Sequence, residues 1–431
     1  MNNVDLAVYF FFQIAVILLA CRVVGIIAAR FGQPQVVAEM ITGVLLGPSL
    51  FGLMLPEWQG ALFPWDTTQQ TRDSQSYLFP VSQLGLALYM FIVGLEFRTD
   101  LLRKNFWSSI AVSTAGMVTP FALGAALAYW LFYNSTLFPA KTSLFEAILF
   151  LGASMCITAF PMLARIIHYK KLAGTLMGTV AIGAGAIDDA VAWCLLAVVL
   201  ASFDDNPLRA VGSIGGGVGF VTFAFIVLKP CLSYIQRWLI GADEKLTEAG
   251  LVIFLACMSL GAWFTDAMHL HAVFGAFVIG AVVPRGVVHR DLIERIQPLT
   301  VALLLPLFFT FSGLNTRIDL LNSTYLWGVC GLVLIAAIGG KGIACWLAAR
   351  ATGISHREAL GIGVLMNARG LMELIIINIG LQRGIISAEL FATLVVMAVI
   401  TTLMASPIFD YLVASPEFDP RKSSNEALEP N

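Results

Sequence analysis

Two adjacent carboxylates, Asp188 and Asp189, stand in the middle of an apolar run, Ala181-Ile-Gly-Ala-Gly-Ala-Ile-Asp-Asp-Ala-Val-Ala-Trp193. On membrane-insertion scales an aspartate at the centre of a span costs roughly 2.5–3.5 kcal/mol. Two in succession therefore need partners or solvent. Neighbouring residues of a helix point about 100° apart, so one carboxylate can face an aqueous cavity while the other faces a neighbouring helix. A carboxylate in such a place can hold a partly dehydrated cation or a proton, and charge balance disfavours holding both. A purely structural pair, serving helix association alone, is the rival reading.

Other ionisable groups fall inside apolar runs, where they are functional candidates by default. Lys341 lies in Ile338-Gly-Gly-Lys-Gly-Ile343. It is too far from the end of its span to snorkel easily, so it needs an acidic partner, and its flanking glycines admit another backbone. Arg369 and Glu373 in Asn367-Ala-Arg-Gly-Leu-Met-Glu373 are four apart and can pair on one helical face. They read equally well as a structural ion pair. Glu39 and Glu96 are weaker candidates, Glu96 as an interfacial residue. Two spans also carry helix-breaking chemistry: Thr158-Ala-Phe-Pro161 in one, Asn367 and Gly370 in the other.

The elements that position these residues follow from composition. The 431-residue chain is 58% hydrophobic and 12% charged, with mean hydropathy +0.85. A soluble domain carries about 25% charged residues, so lipid is the main solvent here. A helix needs about 20 apolar residues to cross a bilayer. Thirteen runs qualify, near 6–30, 35–53, 77–97, 107–133, 144–167, 172–202, 212–236, 248–265, 268–284, 299–315, 325–349, 358–382 and 387–413. The expected fold is an all-α polytopic membrane protein.

The basic residues test that alternation. Sixteen of the 25 Lys and Arg fall after odd-numbered spans or in the tail, five after even-numbered ones, and Arg22, Lys229, Lys341 and Arg369 inside spans. That asymmetry places the N-terminus outside and the C-terminus in the cytoplasm. The broken spans, the fifth and the twelfth, are an odd number apart and so cross in opposite directions. Interrupted helices at corresponding places in inverted halves mark a transporter's binding site. A membrane domain over 1–414 is expected, with spans 5, 6, 11 and 12 as its ion-binding core, followed by a short polar cytoplasmic tail over 415–431. The first run lacks a basic leader and reads as a retained helix. The net charge of −2 predicts no nucleic-acid partner. The seven cysteines are scattered singly, which indicates neither disulfides nor zinc, and no cofactor is expected.

Taken in order, several motifs resemble the monovalent cation:proton antiporter-2 family: Gln33-Pro-Gln-Val-Val-Ala-Glu-Met-Ile-Thr-Gly43 through Gly47-Pro-Ser49, Gly94-Leu-Glu96, Thr158-Ala-Phe-Pro161, Asp188-Asp189, His271-Ala-Val-Phe-Gly-Ala-Phe277, Pro306-Leu-Phe-Phe309, Lys341 and Asn367-Ala-Arg-Gly370. The resemblance covers about residues 30–410. It implies a thirteen-helix fold with a core and a dimerisation domain, working as a homodimer in a bacterial inner membrane by an elevator-like movement. It further implies that Asp189 exchanges cation for protons, that Asp188 partners Lys341, and that the adjacent aspartates go with electrogenic exchange. The potassium-efflux members' cytoplasmic nucleotide-binding domain has no counterpart in this sequence.

The residues and the resemblance lead to one expectation: exchange of Na⁺ or K⁺ for protons by alternating access. Asp189, Asp188 and Thr158 form the ion and proton site. Lys341 is the charge partner, and Pro161, Asn367, Arg369 and Glu373 are the helix-break and supporting residues. A gated cation channel, a sodium-coupled symporter, a membrane sensor and, last, a membrane enzyme are the alternatives.

Overall fold

The computed structural model describes residues 3–63, 73–96, 105–172, 174–203, 207–241, 244–268, 270–314 and 320–413; the expected tail lies outside them. Among these residues the regular structure is helical, apart from one isolated antiparallel bridge, Ile240–Leu246. In chain order the helices are α1 (Asn3–Ala29), α2 (Gln35–Leu46), α3 (Phe51–Met54), α4 (Pro56–Leu62), α5 (Asp73–Glu96), α6 (Phe106–Asn134), α7 (Leu144–Cys156), α8 (Phe160–Tyr169), α9 (Leu176–Phe203) and α10 (Pro207–Phe223). They continue as α11 (Lys229–Leu239), α12 (Glu248–Ala267), α13 (Ala272–Val282), α14 (Val287–Leu299), α15 (Leu305–Leu314), α16 (Thr324–Ala351), α17 (His356–Leu365), α18 (Leu371–Gln382) and α19 (Ala388–Leu412). Nine described helical stretches are long and apolar enough to cross a membrane.

Hydroxyl residues set many of the helix starts. Ser143, Thr247, Ser323, Ser355 and Ser387 each accept a first-turn N–H that has no partner inside its helix. At α7 the arrangement is reciprocal, since Glu146 returns a bond to the Ser143 N–H. Prolines shape the helices from within. Pro230 and Pro306 each follow a π turn, over Ala224–Leu228 and Thr300–Leu304. A proline cannot bond the carbonyl four residues earlier, and its ring crowds that carbonyl. Those carbonyls belong to Ile226 and Ala302, which lie inside the two π turns, so the wider turn absorbs the misfit.

The chain divides into two compact units. The first comprises Met1–Arg22, Thr42–Phe97 and Leu196–Asn315. One cluster in it joins Phe91 of α5, Phe254 and Met258 of α12, Ile279 of α13 and Leu292 of α14; another joins Ile17, Phe63, Leu78 and Leu307. Glycines let backbones meet here. A Cβ on Gly94 of α5 would lie 3.0 Å from the Gly280 Cα, and one on Gly280 would lie 3.0 Å from the Gly94 Cα. A Cβ on Gly43 would lie 3.1 Å from the Thr310 Cα, against the Phe309 carbonyl. Gly94 and Gly43, both landmarks of the family resemblance, are therefore packing residues of this unit. Gly94→Ala is expected to destabilise the protein by about 1–3 kcal/mol, the cost of overpacking a filled interface. A lowered thermal unfolding midpoint in detergent is the measurement; an unchanged midpoint would contradict it.

The second unit comprises Val23–Ile41, Arg98–Leu195 and Thr316–Asn431. Its apolar cluster draws on Val112 of α6, Leu163 and Ile166 of α8, Val180 and Ala184 of α9, Cys345 of α16, Ile362 and Leu365 of α17, and Phe409 of α19. Asp188, Asp189 and every other candidate site residue of the sequence except Glu96 belong to this unit.

Candidate ion site at two interrupted helices

The fifth and twelfth runs are both interrupted. The fifth is α7, a non-helical stretch at 157–159, then α8; the twelfth is α17, a longer gap at 366–370, then α18. Pro161 accounts for the first break. It has no N–H for the Ile157 carbonyl and would crowd it, but near the start of α8 that missing donor costs nothing. The two gaps touch, since the Ala159 N–H donates to the Ala368 carbonyl at 3.1 Å. At the second gap a Cβ on Gly370 would lie 2.9 Å from Met162 Cγ of α8.

Ending a helix inside the protein strands its last carbonyls, which carry the negative end of the helix dipole. The last three carbonyls of α7 are met by two cations. Arg369 donates through Nη1 to Ser154 O at 3.1 Å and through Nη2 to Met155 O at 2.6 Å. Lys341 donates through Nζ to Cys156 O. Arg369 is held by its own backbone: its N–H donates to Thr402 Oγ1 at 3.0 Å, and that hydroxyl donates to the Arg369 carbonyl at 2.8 Å. The guanidinium also lies 3.4 Å from Glu373 Oε1, the pairing expected from the four-residue spacing.

Lys341 is fully buried, and its Nζ lies 3.4 Å from Asp188 Oδ2. The ammonium is therefore paired within the unit rather than snorkelling, as an acidic partner requires. Its neighbour Gly342 makes room for the second gap. A Cβ there would lie 2.9 Å from Asn367 Nδ2, while a Cβ on Gly363 would lie 2.5 Å from the Gly342 carbonyl. Asn367 donates to the Gly363 carbonyl at 2.9 Å. Its buried Oδ1 has no hydrogen-bond partner among the described residues, and neither has Glu373 Oε2.

Asp188 is bonded on both oxygens. Ser113 of α6 donates to Oδ1 at 2.6 Å, and Thr158 in the first gap donates to Oδ2 at 2.6 Å. Asp189, the next residue of α9, is buried to 4% exposure. Five ionisable side chains are thus buried around the crossing: Asp188, Asp189 and Glu373 against Lys341 and Arg369. A buried charge must be balanced, and each of these carboxylates can meet that need with a counter-cation or a proton.

Of the residues singled out in the sequence, Thr158, Asp188, Lys341, Arg369 and Glu373 are tied by contacts at the crossing, with Asp189 beside Asp188, Asn367 in the second gap and Pro161 opening α8. Glu39 is also buried in this unit, 3.8 Å from Arg165 of α8, as a separate pair. Glu96 ends α5 in the other unit. Sequence reasoning did not single out Ser113 or Thr402. The only signal was a hydroxyl in an apolar span, which many serines and threonines of this chain share.

A family model described as "Sodium/hydrogen exchanger, transmembrane" matches residues 14–414. The Na(+)/H(+) antiporter NhaS4 of Synechocystis sp. is 39% identical over 391 residues, covering 90% of this chain and 93% of that one. The K(+)/H(+) antiporter 1 of Saccharomyces cerevisiae is 33% identical over 404 residues, 91% of this chain but 45% of the yeast protein. The Na(+)/H(+)-K(+) antiporter GerN of Bacillus cereus is 28% identical over 91% of this chain and 93% of its own. Among solved structures, the sodium proton antiporter MjNhaP1 of Methanocaldococcus jannaschii has the same fold at TM-score 0.66 and 15% identity, covering 95% of this chain and 99% of that one. With a match that runs nearly from end to end, this chain is an integral membrane protein and belongs to the sodium/hydrogen exchanger family.

Proposed function

We propose that this protein exchanges a monovalent cation, Na⁺ or K⁺, for protons across a membrane by alternating access, with Asp189 as the exchanging group. The observation that carries the reading is the cluster of buried carboxylates and cations held where the two gaps touch, with Asp188 tied to Thr158 and Lys341 and Asp189 next to it in α9. A cation and a proton compete for the same carboxylate oxygens, so binding of either excludes the other. Relatives named for Na⁺/H⁺, K⁺/H⁺ and mixed exchange support the class and leave both cations in play.

Exchange is proposed to be electrogenic. A second proton per cation requires Lys341, close to Asp188, to release its proton when the cation binds. The basic-residue asymmetry supports thirteen crossings, with the N-terminus outside and the C-terminus in the cytoplasm. A homodimer in a bacterial inner membrane completes the proposal.

The test is exchange in proteoliposomes with Na⁺, Li⁺, K⁺ and Rb⁺ compared at two imposed voltages. The expected result is cation-driven proton flux that saturates, discriminates among the four ions and changes rate with voltage. Ion currents without proton coupling would favour a channel, and cation-dependent solute uptake without proton flux would favour a symporter.

A further inference from the structure

Both oxygens of Asp188 carry short hydrogen bonds, and one of them comes from outside the interrupted helices. Ser113 of α6 is buried, with its Oγ 2.6 Å from Asp188 Oδ1; Thr158 takes Oδ2 at the same distance. Lys341 stands farther off, at 3.4 Å, while its ammonium bonds the Cys156 carbonyl more closely. Two hydroxyls rather than the lysine therefore make the short bonds to this carboxylate, and bonds to an ionised acceptor are roughly twice as strong as neutral ones. The same face of α6 reaches the lysine. Gly116, three residues after Ser113, would with a Cβ lie 2.6 Å from Cys345 Sγ and 4.0 Å from Lys341 Cε. One turn earlier, Ser109 Oγ lies 3.4 Å from the Val180 carbonyl of α9. This face of α6 therefore lies against α9 and against the helix that carries Lys341.

We infer that Ser113 is a positioning residue for exchange, holding Asp188 as a carboxylate so that Lys341 can release its proton to solution without Asp188 taking it up. This rests on reading Asp188, Asp189 and Lys341 as the transport site. The proton balance is explicit: Asp189 gives up one proton and Lys341, passing from ammonium to amine, a second; Asp188 stays ionised, one cation arrives, and the site ends one charge more negative, which is the charge the cycle moves. Without the Ser113 hydroxyl the carboxylate loses one of its two short donors, and the lysine's proton moves to Asp188 instead of leaving. The cycle then carries one proton fewer.

The test compares Ser113→Ala and Ser113→Thr in proteoliposomes of the full chain, with Na⁺ and K⁺ as driving ions, from mildly acidic to alkaline pH and at two imposed voltages. Ser113→Ala is expected to slow exchange about tenfold at neutral pH, the scale of one hydrogen bond to a charged group. Its acid limb should shift to higher pH and its voltage dependence should weaken, while Ser113→Thr, which keeps the hydroxyl, retains the unsubstituted profile. An unchanged pH profile and voltage response in Ser113→Ala overturns the inference. So does an equal slowing of both variants at every pH, which is the mark of packing alone. Asp189→Asn in the same vesicles separates the two levels: exchange that survives it removes the transport site itself, whereas its loss beside an unaffected Ser113→Ala removes only the role of Ser113.

Discussion

Asp189→Asn is expected to reduce cation-coupled proton exchange by on the order of a hundredfold or more, at every pH and for every cation. The asparagine is nearly the same size, so packing in α9 is kept while one charge is removed. A cation arriving there would lack the carboxylate that offsets its charge, and an unbalanced buried charge costs about 3–5 kcal/mol, more than two decades in affinity. The measurement is initial exchange rate in proteoliposomes, with unfolding midpoints to show that the variant is folded. A folded Asp189→Asn protein that still exchanges at an appreciable fraction of the normal rate would place the cation elsewhere.

Lys341→Ala is expected to act on both stability and coupling. The ammonium bonds the Cys156 carbonyl at the end of α7 and faces Asp188 in a fully buried position. Removing it strands one helix-end carbonyl and takes the only buried cation from beside Asp188 among the described contacts. Losing one partner of a buried ion pair costs about 3–5 kcal/mol. A marked fall in unfolding midpoint should follow, larger than for Gly94→Ala. Whatever exchange survives should be electroneutral, because the group proposed to release the second proton is gone. Voltage-dependent exchange of unchanged stoichiometry in Lys341→Ala would take this lysine out of the proton count and leave it a structural role at the α7 end.

The two effects separate along the chain of causes. Asp189 is beside Asp188 in α9, and its loss changes the charge available to the transported ion. Lys341 changes the support of the crossing as well. Stability and transport should therefore fall together for Lys341 and separately for Asp189, a contrast that a generic folding defect would not produce.

Much of this could be read from the residues in order. The apolar runs located the helices, because twenty-odd residues without charge have no other solvent to choose. Pro161 announced the first interruption, since a proline's missing N–H acts on the carbonyl four residues back regardless of what surrounds it. The Arg369–Glu373 pairing came from helical spacing, and the need of Lys341 for an acid came from the cost of a lone buried charge. Each of these is a local or single-residue argument, and for that reason the linear order was enough.

The sequence named Asp188 as the acid for Lys341 only through the family resemblance, and folding alone decided that α7 ends on two cations from α16 and the second gap. Neither Ser113 nor Thr402 differs in type from many hydroxyls elsewhere in the apolar spans; only proximity selects them. The same holds for Gly94 and Gly43, whose spacing in the chain says nothing of the backbones at Gly280 and Phe309 that they must admit. The physical reason is one of range. Solvent transfer and backbone geometry act on a residue through its own type and nearest neighbours, whereas a hydrogen bond of 2.6 Å between Ser113 and Asp188, 75 positions apart, exists only once packing has brought α6 against α9.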